Sequence, residues 1–272
     1  MARAWALAIL AAHLAASLLA AGCVAPSDEA TVWLGTTTSV RDSGLLEALV
    51  TAAARDEGLD VRAVVGGTGE TLAKGARGDV AVTLTHAPTR EAAALAAGWT
   101  TARVPVFASR FWLVGPDEDG AQVATADSVA AAFARIAEAE AAFVSRADES
   151  GTHDAERAIW AAADIVPSGA WYVRSGSGQA ASVRVARELG AYTLVDEPTW
   201  RALVAAGATA GLRPLYVDGA EALLANPYAV LVRVDAAPAA RAFAAWLAAP
   251  AGQRVVAGVP AFTPLAAAEA AG

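Results

Sequence analysis

An α/β fold is what this sequence predicts, on three observations. Apolar runs short enough for buried strands alternate with segments whose apolar residues fall at helical spacing. No repeat of fixed period interrupts that alternation. Several strand-to-helix junctions are rich in hydroxyl residues and glycine. Ligands in open α/β sheets sit beyond the carboxyl ends of strands, so these junctions are where function is expected.

The first junction is the fullest. Thr31-Val32-Trp33-Leu34 reads as a short buried strand, and residues 45–55 as a helix. Between them lie Gly35-Thr36-Thr37-Thr38-Ser39-Val40-Arg41-Asp42-Ser43-Gly44. Hydroxyl donors beside the unpaired N–H groups and positive dipole end of a helix make an anion site. The second junction follows a strand at 60–65: Gly66-Gly67-Thr68-Gly69-Glu70-Thr71 opens a helix through Ala76. Glycine lets the backbone approach a ligand, and Thr68 is placed to cap or to donate. The turn has neither the Gly-Lys-Ser/Thr of a P-loop nor the glycine spacing of a dinucleotide fingerprint.

Further strands are expected at 79–84 and 104–114, with a helix opened by Pro88 between them. A polar loop covers 116–126 and an amphipathic helix 128–142. Phe143-Val144 then leads into the third junction, Ser145-Arg146-Ala147-Asp148-Glu149-Ser150-Gly151-Thr152-His153-Asp154, with a helix from about 154 to 163. The strand Trp171-Tyr172-Val173 leads into the fourth, Arg174-Ser175-Gly176-Ser177-Gly178-Gln179, and a helix at 180–189. Strands at 191–195, 216–217 and 228–234 and helices at 198–205 and around Phe243, Trp246 and Leu247 complete the chain. The sheets are expected to be largely parallel. Trp33, Trp112, Trp160, Trp171 and Trp246 read as core residues.

The formal net charge is −8, and no basic cluster occurs, which argues against nucleic-acid binding. An acidic chain still binds anions where oriented neutral dipoles build the site. Residues 1–23 read as an export signal: Arg3, an apolar run, then Leu19-Ala20-Ala21-Gly22-Cys23, which resembles a bacterial lipobox with Cys23 as the lipidated residue. Residues 24–29 form a tether. Cys23 is the only cysteine, so the exported body has no disulfide and no thiolate chemistry. Ser150, His153 and Asp154 are the raw material of a serine hydrolase, but they share one turn, and no Gly-x-Ser-x-Gly elbow is present. His86 and His153 lack the further ligands that zinc requires.

The segments 36–46, Val65-Gly66-Gly67-Thr68-Gly69, His86-Ala87-Pro88, 144–153, Trp171-Tyr172, 190–194 and Asn226-Pro227-Tyr228 resemble the tungstate-binding proteins of bacterial ABC importers. The resemblance implies a two-lobed periplasmic-binding-protein fold of type II with the ligand cleft between the lobes. Lobe one would comprise 30–113 plus 226–272, and lobe two 114–225. It implies no enzyme activity and no cofactor. It implies capture of tungstate or molybdate as an oxyanion, with no metal cation bound as such. The partners implied are a permease and its ATPase, and the membrane through the lipid anchor at Cys23, for a protein expected to be monomeric. Carried over, the oxyanion contacts fall on Thr37, Thr38, Ser39, Arg146 and Thr152, and Ser145 beside Arg146 is a further candidate. Geometry adds Thr68 and Ser177. Phosphate is the nearest rival ligand. It keeps a proton at neutral pH and needs a buried acceptor, for which Asp42 and Asp148 are the candidates. A lipid-anchored oxyanion sensor is the rival use. Glu70 would oppose an anion if it pointed inward.

Overall fold

The structure, a computed structural model, describes residues 30–265. The export signal, the tether and Cys23 lie outside the described residues. The strands are β1 (Thr31–Thr37), β2 (Asp60–Gly66), β3 (Val82–Thr85), β4 (Thr100–Pro116), β5 (Phe143–Ser145), β6 (Tyr172–Arg174), β7 (Tyr192–Asp196), β8 (Leu212–Tyr216), β9 (Ala225–Arg233) and β10 (Thr263–Pro264). The helices are α1 (Thr38–Asp42), α2 (Leu45–Glu57), α3 (Thr68–Arg77), α4 (Pro88–Ala96), α5 (Val129–Glu138), α6 (Gly151–Ala162), α7 (Gln179–Leu189), α8 (Glu197–Ala205), α9 (Pro238–Ala248) and α10 (Pro250–Ala257).

The strands run in the order β2-β1-β3-β9-β4-β7-β5-β6, with β8 and β10 also on β4. β4 is the spine. From Thr100 to Arg110 it pairs antiparallel with β9. From Phe111 to Val114 it pairs with β7, and from Leu113 to Pro116 with β8. One strand of 17 residues therefore serves two groups of strands, each with its own core. Val32, Leu34, Val82, Phe107, Tyr228, Phe243 and Trp246 belong to one core, and Phe111, Phe133, Phe143, Trp160 and Leu194 to the other. The chain crosses between the groups at Arg110/Phe111 and returns at Ala225/Asn226, which face each other across the β4–β9 ladder.

Parallel pairing holds only at the flanks, β2-β1-β3 and β6-β5-β7. The centre is antiparallel because β9 and β4 return directly beside their neighbours. Trp33 is a correction: it is 46% exposed, whereas Val32 and Leu34 are fully buried. Strand alternation turns it outward, where the Arg62 guanidinium covers its ring at 5.9 Å. Trp160 and Trp246 are core residues as expected. Among the described residues, no helix is long and apolar enough to cross a membrane.

Candidate anion-binding site

β1 runs further than its apolar residues suggest, so Gly35, Thr36 and Thr37 are still strand. The Thr37 backbone is extended at the N-cap of α1, yet its side chain makes no capping bond. Its hydroxyl is buried and without a hydrogen-bond partner. Thr37 pairs in register with Gly66, which brings Thr68, at the start of α3, to the same end of the sheet. The Thr68 hydroxyl is likewise buried and unpartnered. Gly35 lets this corner close: a Cβ there would stand 2.9 Å from Thr71 Cγ2. Glu70 does not face inward. It is exposed, pairs with Lys74 at 2.5 Å, and its carboxyl is held below the usual range first by that hydrogen bond.

The second group of strands brings up Ser145 and Arg146 at the end of β5. Ser145 is fully buried, and its hydroxyl faces Glu156 and Tyr172. Arg146 is 4% exposed and almost fully engaged. Its Nε and Nη2 donate to Asp148 Oδ2 at 3.1 and 2.5 Å. Its Nη1 donates to Thr152 Oγ1 at 3.3 Å and to Gln179 Oε1 at 3.2 Å. A guanidinium carries five N–H donors, so one, on Nη2, is left over. The Thr152 hydroxyl is spent on Gln179 Oε1 at 2.8 Å, and Gln179 Nε2 donates to the Leu194 carbonyl at 2.9 Å.

The helix carrying Thr152 starts at Gly151, earlier than its apolar pattern suggests, because the Ser150 hydroxyl accepts the His153 N–H as N-cap. That same contact disposes of a hydrolase triad. His153 Nδ1 accepts the Glu149 N–H, and Asp154 is held by Arg90. Ser177 is half-buried and its hydroxyl donates back to the Ser175 carbonyl at 3.0 Å. Thr38 is partly exposed.

The two groups meet at this end. Ser39 Oγ donates to Asp196 Oδ2 at 3.0 Å, from α1 to the end of β7. Asp196 is fully buried and also caps α8 through the Thr199 N–H and hydroxyl. A Cβ on Gly151 would stand 2.4 Å from the His86 carbonyl oxygen, so α6 packs on the β3–α4 turn with no room for a side chain. Behind the seam, His86 stacks on Tyr228 at 4.6 Å. The Asn226 amide donates to Ser109, which leaves its oxygen to accept from His86 Nδ1 at 2.8 Å. His86 is thus satisfied by a side chain, not by backbone. Burial holds its pKa below the ordinary value, against the pull of Asp196, so the ring is neutral. Arg110 binds the Asp218 and Glu221 carbonyls and pins the crossover.

Sequence reasoning missed Gln179, Asp196 and Tyr228 as parts of this region. Gln179 had a signal, as the first helical residue after a Gly-Ser turn; Asp196 had none. Under Ser145 lies Glu156, 2% exposed. It accepts from Trp160 Nε1 at 3.2 Å and from the Tyr172 hydroxyl at 2.6 Å. Burial pushes its carboxyl up to about 7. Among the described residues no three His, Cys, Asp or Glu are grouped to hold a cation. The buried acids here already accept from protein donors, so what the site leaves over is O–H and N–H donors, a set that suits an anion with no proton of its own.

A family model for the PBP superfamily domain matches residues 24–251. The tungstate-binding protein TupA of Peptoclostridium acidaminophilum is 33% identical over 286 aligned positions, covering 96% of this chain and 98% of that protein. An ABC transporter anion-binding protein of Haloferax volcanii is 36% identical, over 82% of this chain and 67% of its own length. Two solved structures align with it: a tungstate ABC transporter protein from Geobacter sulfurreducens (33% identity, TM-score 0.77, 85% of this chain, all of that one), and the tungstate-binding TupA from Desulfovibrio alaskensis (34%, TM-score 0.72, 86% and 98%).

Proposed function

This chain belongs to the PBP superfamily and, within it, to the family of TupA-type tungstate-binding proteins, and from that we propose that it captures tungstate, or molybdate, outside the cytoplasm for an ABC importer. The observation that carries the reading is the pair of buried hydroxyls with no partner on Thr37 and Thr68, brought to one end of the sheet by the Thr37–Gly66 pairing. An unpaired buried polar group costs about 1–3 kcal/mol. Two together at one end of the sheet are the expected signature of donors waiting for an acceptor.

In this reading those hydroxyls and the free Nη2 hydrogen of Arg146 touch the anion. Thr152 and Gln179 hold Arg146, Ser39 ties the lobes through Asp196, and Thr38 and Ser177 shape the turns. Lobe one comprises residues 30–110 and 226 onward, lobe two 111–225, the crossover falling three residues earlier in β4 than the sequence suggests, and they close on the anion as a hinge. The acids named as proton acceptors for phosphate are occupied: Asp42 by Arg41, and Asp148 by Arg146 and the Ser150 N–H. That supports a bare dianion over a protonated one. The protein would be exported as a monomer, anchored by a lipid on Cys23, and would hand its cargo to a permease driven by an ATPase. No chemistry is done on the ligand.

Titration calorimetry of the protein against tungstate, molybdate, sulfate and phosphate tests this. Tungstate or molybdate should bind at least about a hundredfold tighter than phosphate, the scale of two charge-assisted hydrogen bonds. Phosphate binding most tightly, or no heat with any of the four, overturns it.

A further inference from the structure

Besides Ser39, a second side chain outside the anion contacts spans the seam between the lobes. Arg90 lies in the first turn of α4, where the helix dipole disfavours a cation. It reaches across to α6: Nε donates to Asp154 Oδ2 at 2.6 Å and Nη2 to Asp154 Oδ1 at 3.1 Å, a bidentate pair. Its Nη1 is 3.7 Å from Glu149 Oε2. The Arg90 and Asp154 side chains are only 28% and 27% exposed. The same guanidinium lies over Gly69, next to Thr68; a Cβ at Gly69 would stand 3.6 Å from Nη1 and 3.7 Å from the Glu149 carbonyl. Arg90 therefore touches the Gly-rich turn of one lobe and, in the other, the C-terminal side of the Arg146 turn and the helix that follows it.

That Arg146 turn needs holding. Ala147 and Glu149 have φ of +48° and +56°, left-handed conformations that non-glycine residues adopt at a cost. Strained turns persist where their surroundings over-determine them. Arg90, on Glu149 and Asp154, supplies that restraint from the opposing lobe, and it can do so only when the lobes are together.

We propose that Arg90 is a positioning residue for anion binding: by clasping Glu149 and Asp154 it holds the Arg146 turn in register with Thr68 and sets how long the anion stays bound. It touches no anion itself. The pair is broken only by opening, so its effect falls on release and not on encounter.

The inference rests on the oxyanion reading, and the test separates the two. Stopped-flow tryptophan fluorescence gives tungstate association and dissociation rates for the wild type, Arg90→Ala, Asp154→Asn and the double variant. Arg90→Ala and Asp154→Asn should each raise the dissociation rate about tenfold and leave association within about threefold. The double variant should be no worse than the worse single variant, because both remove one pair. Single variants releasing tungstate at the wild-type rate, or effects that add in full, overturn the proposal. A second arm needs no ligand: small-angle scattering should show Arg90→Ala more open than the wild type at low salt. Should the wild type bind no oxyanion, the functional reading falls and this arm still judges the clasp. Equal scattering profiles would then overturn it.

Discussion

The two sides of the seam solve one problem with different chemistry. On the β1–β3 side the donors are neutral: Thr37 and Thr68 hydroxyls, buried, uncharged and unpartnered. On the β5–β7 side the donor is an arginine whose charge is already met by Asp148 and whose plane is fixed by Thr152 and Gln179. Neutral donors can wait unpaired at modest cost. A buried guanidinium cannot, because stranding a charge costs several kcal/mol. So one side is left open for the ligand, while the other is pre-organised as a closed network with one hydrogen to spare.

The largest break in this comparison is Arg146→Ala. It removes a donor and also leaves the Asp148 carboxylate, 18% exposed, facing the anion alone. Tungstate affinity should fall about a hundredfold or more, and removing Asp148 as well should recover about tenfold of it. Calorimetry on both variants decides; equal losses would mean that Asp148 is not what Arg146 neutralises.

Thr68→Val should act in the opposite sense on stability. It removes a hydroxyl that bonds to nothing in the protein, so the thermal midpoint without ligand should hold or rise, while tungstate affinity drops about tenfold. A fall in the midpoint with affinity unchanged would make Thr68 an ordinary structural residue.

The smallest effect is a pH slope from the charged side alone. Glu156 has its carboxyl raised by burial from 4.5 to about 7, so folding favours its neutral form. That contribution is present in full below about pH 4.5 and is lost as pH rises to about 7. The full span is on the order of 3 kcal/mol. Glu156→Gln stays neutral, so its urea midpoint should gain on the wild type across that window. Parallel curves for the two proteins would show that Glu156 ionises normally.

Much of this was legible from sequence, for local reasons. Element order follows from apolar spacing. The Thr-rich, Gly-rich and Ser-Arg junctions stand at strand ends because strand and helix periods change there. Composition argued against a nucleic-acid surface, with a net charge of −8 and no basic cluster. What sequence could not decide is which hydroxyls are spent and which are free. Ser39 is tied to Asp196 across 157 positions, and Thr152 to Gln179 across 27. Thr37 and Thr68, identical to them in kind, bond to nothing. The outward turn of Glu70 was fixed the same way, by its neighbour Lys74. A hydroxyl's chemistry is set by its nearest acceptor: for Thr152 it comes from the start of the next helix, and for Ser39 from a strand end brought close only when both groups of strands assemble along β4.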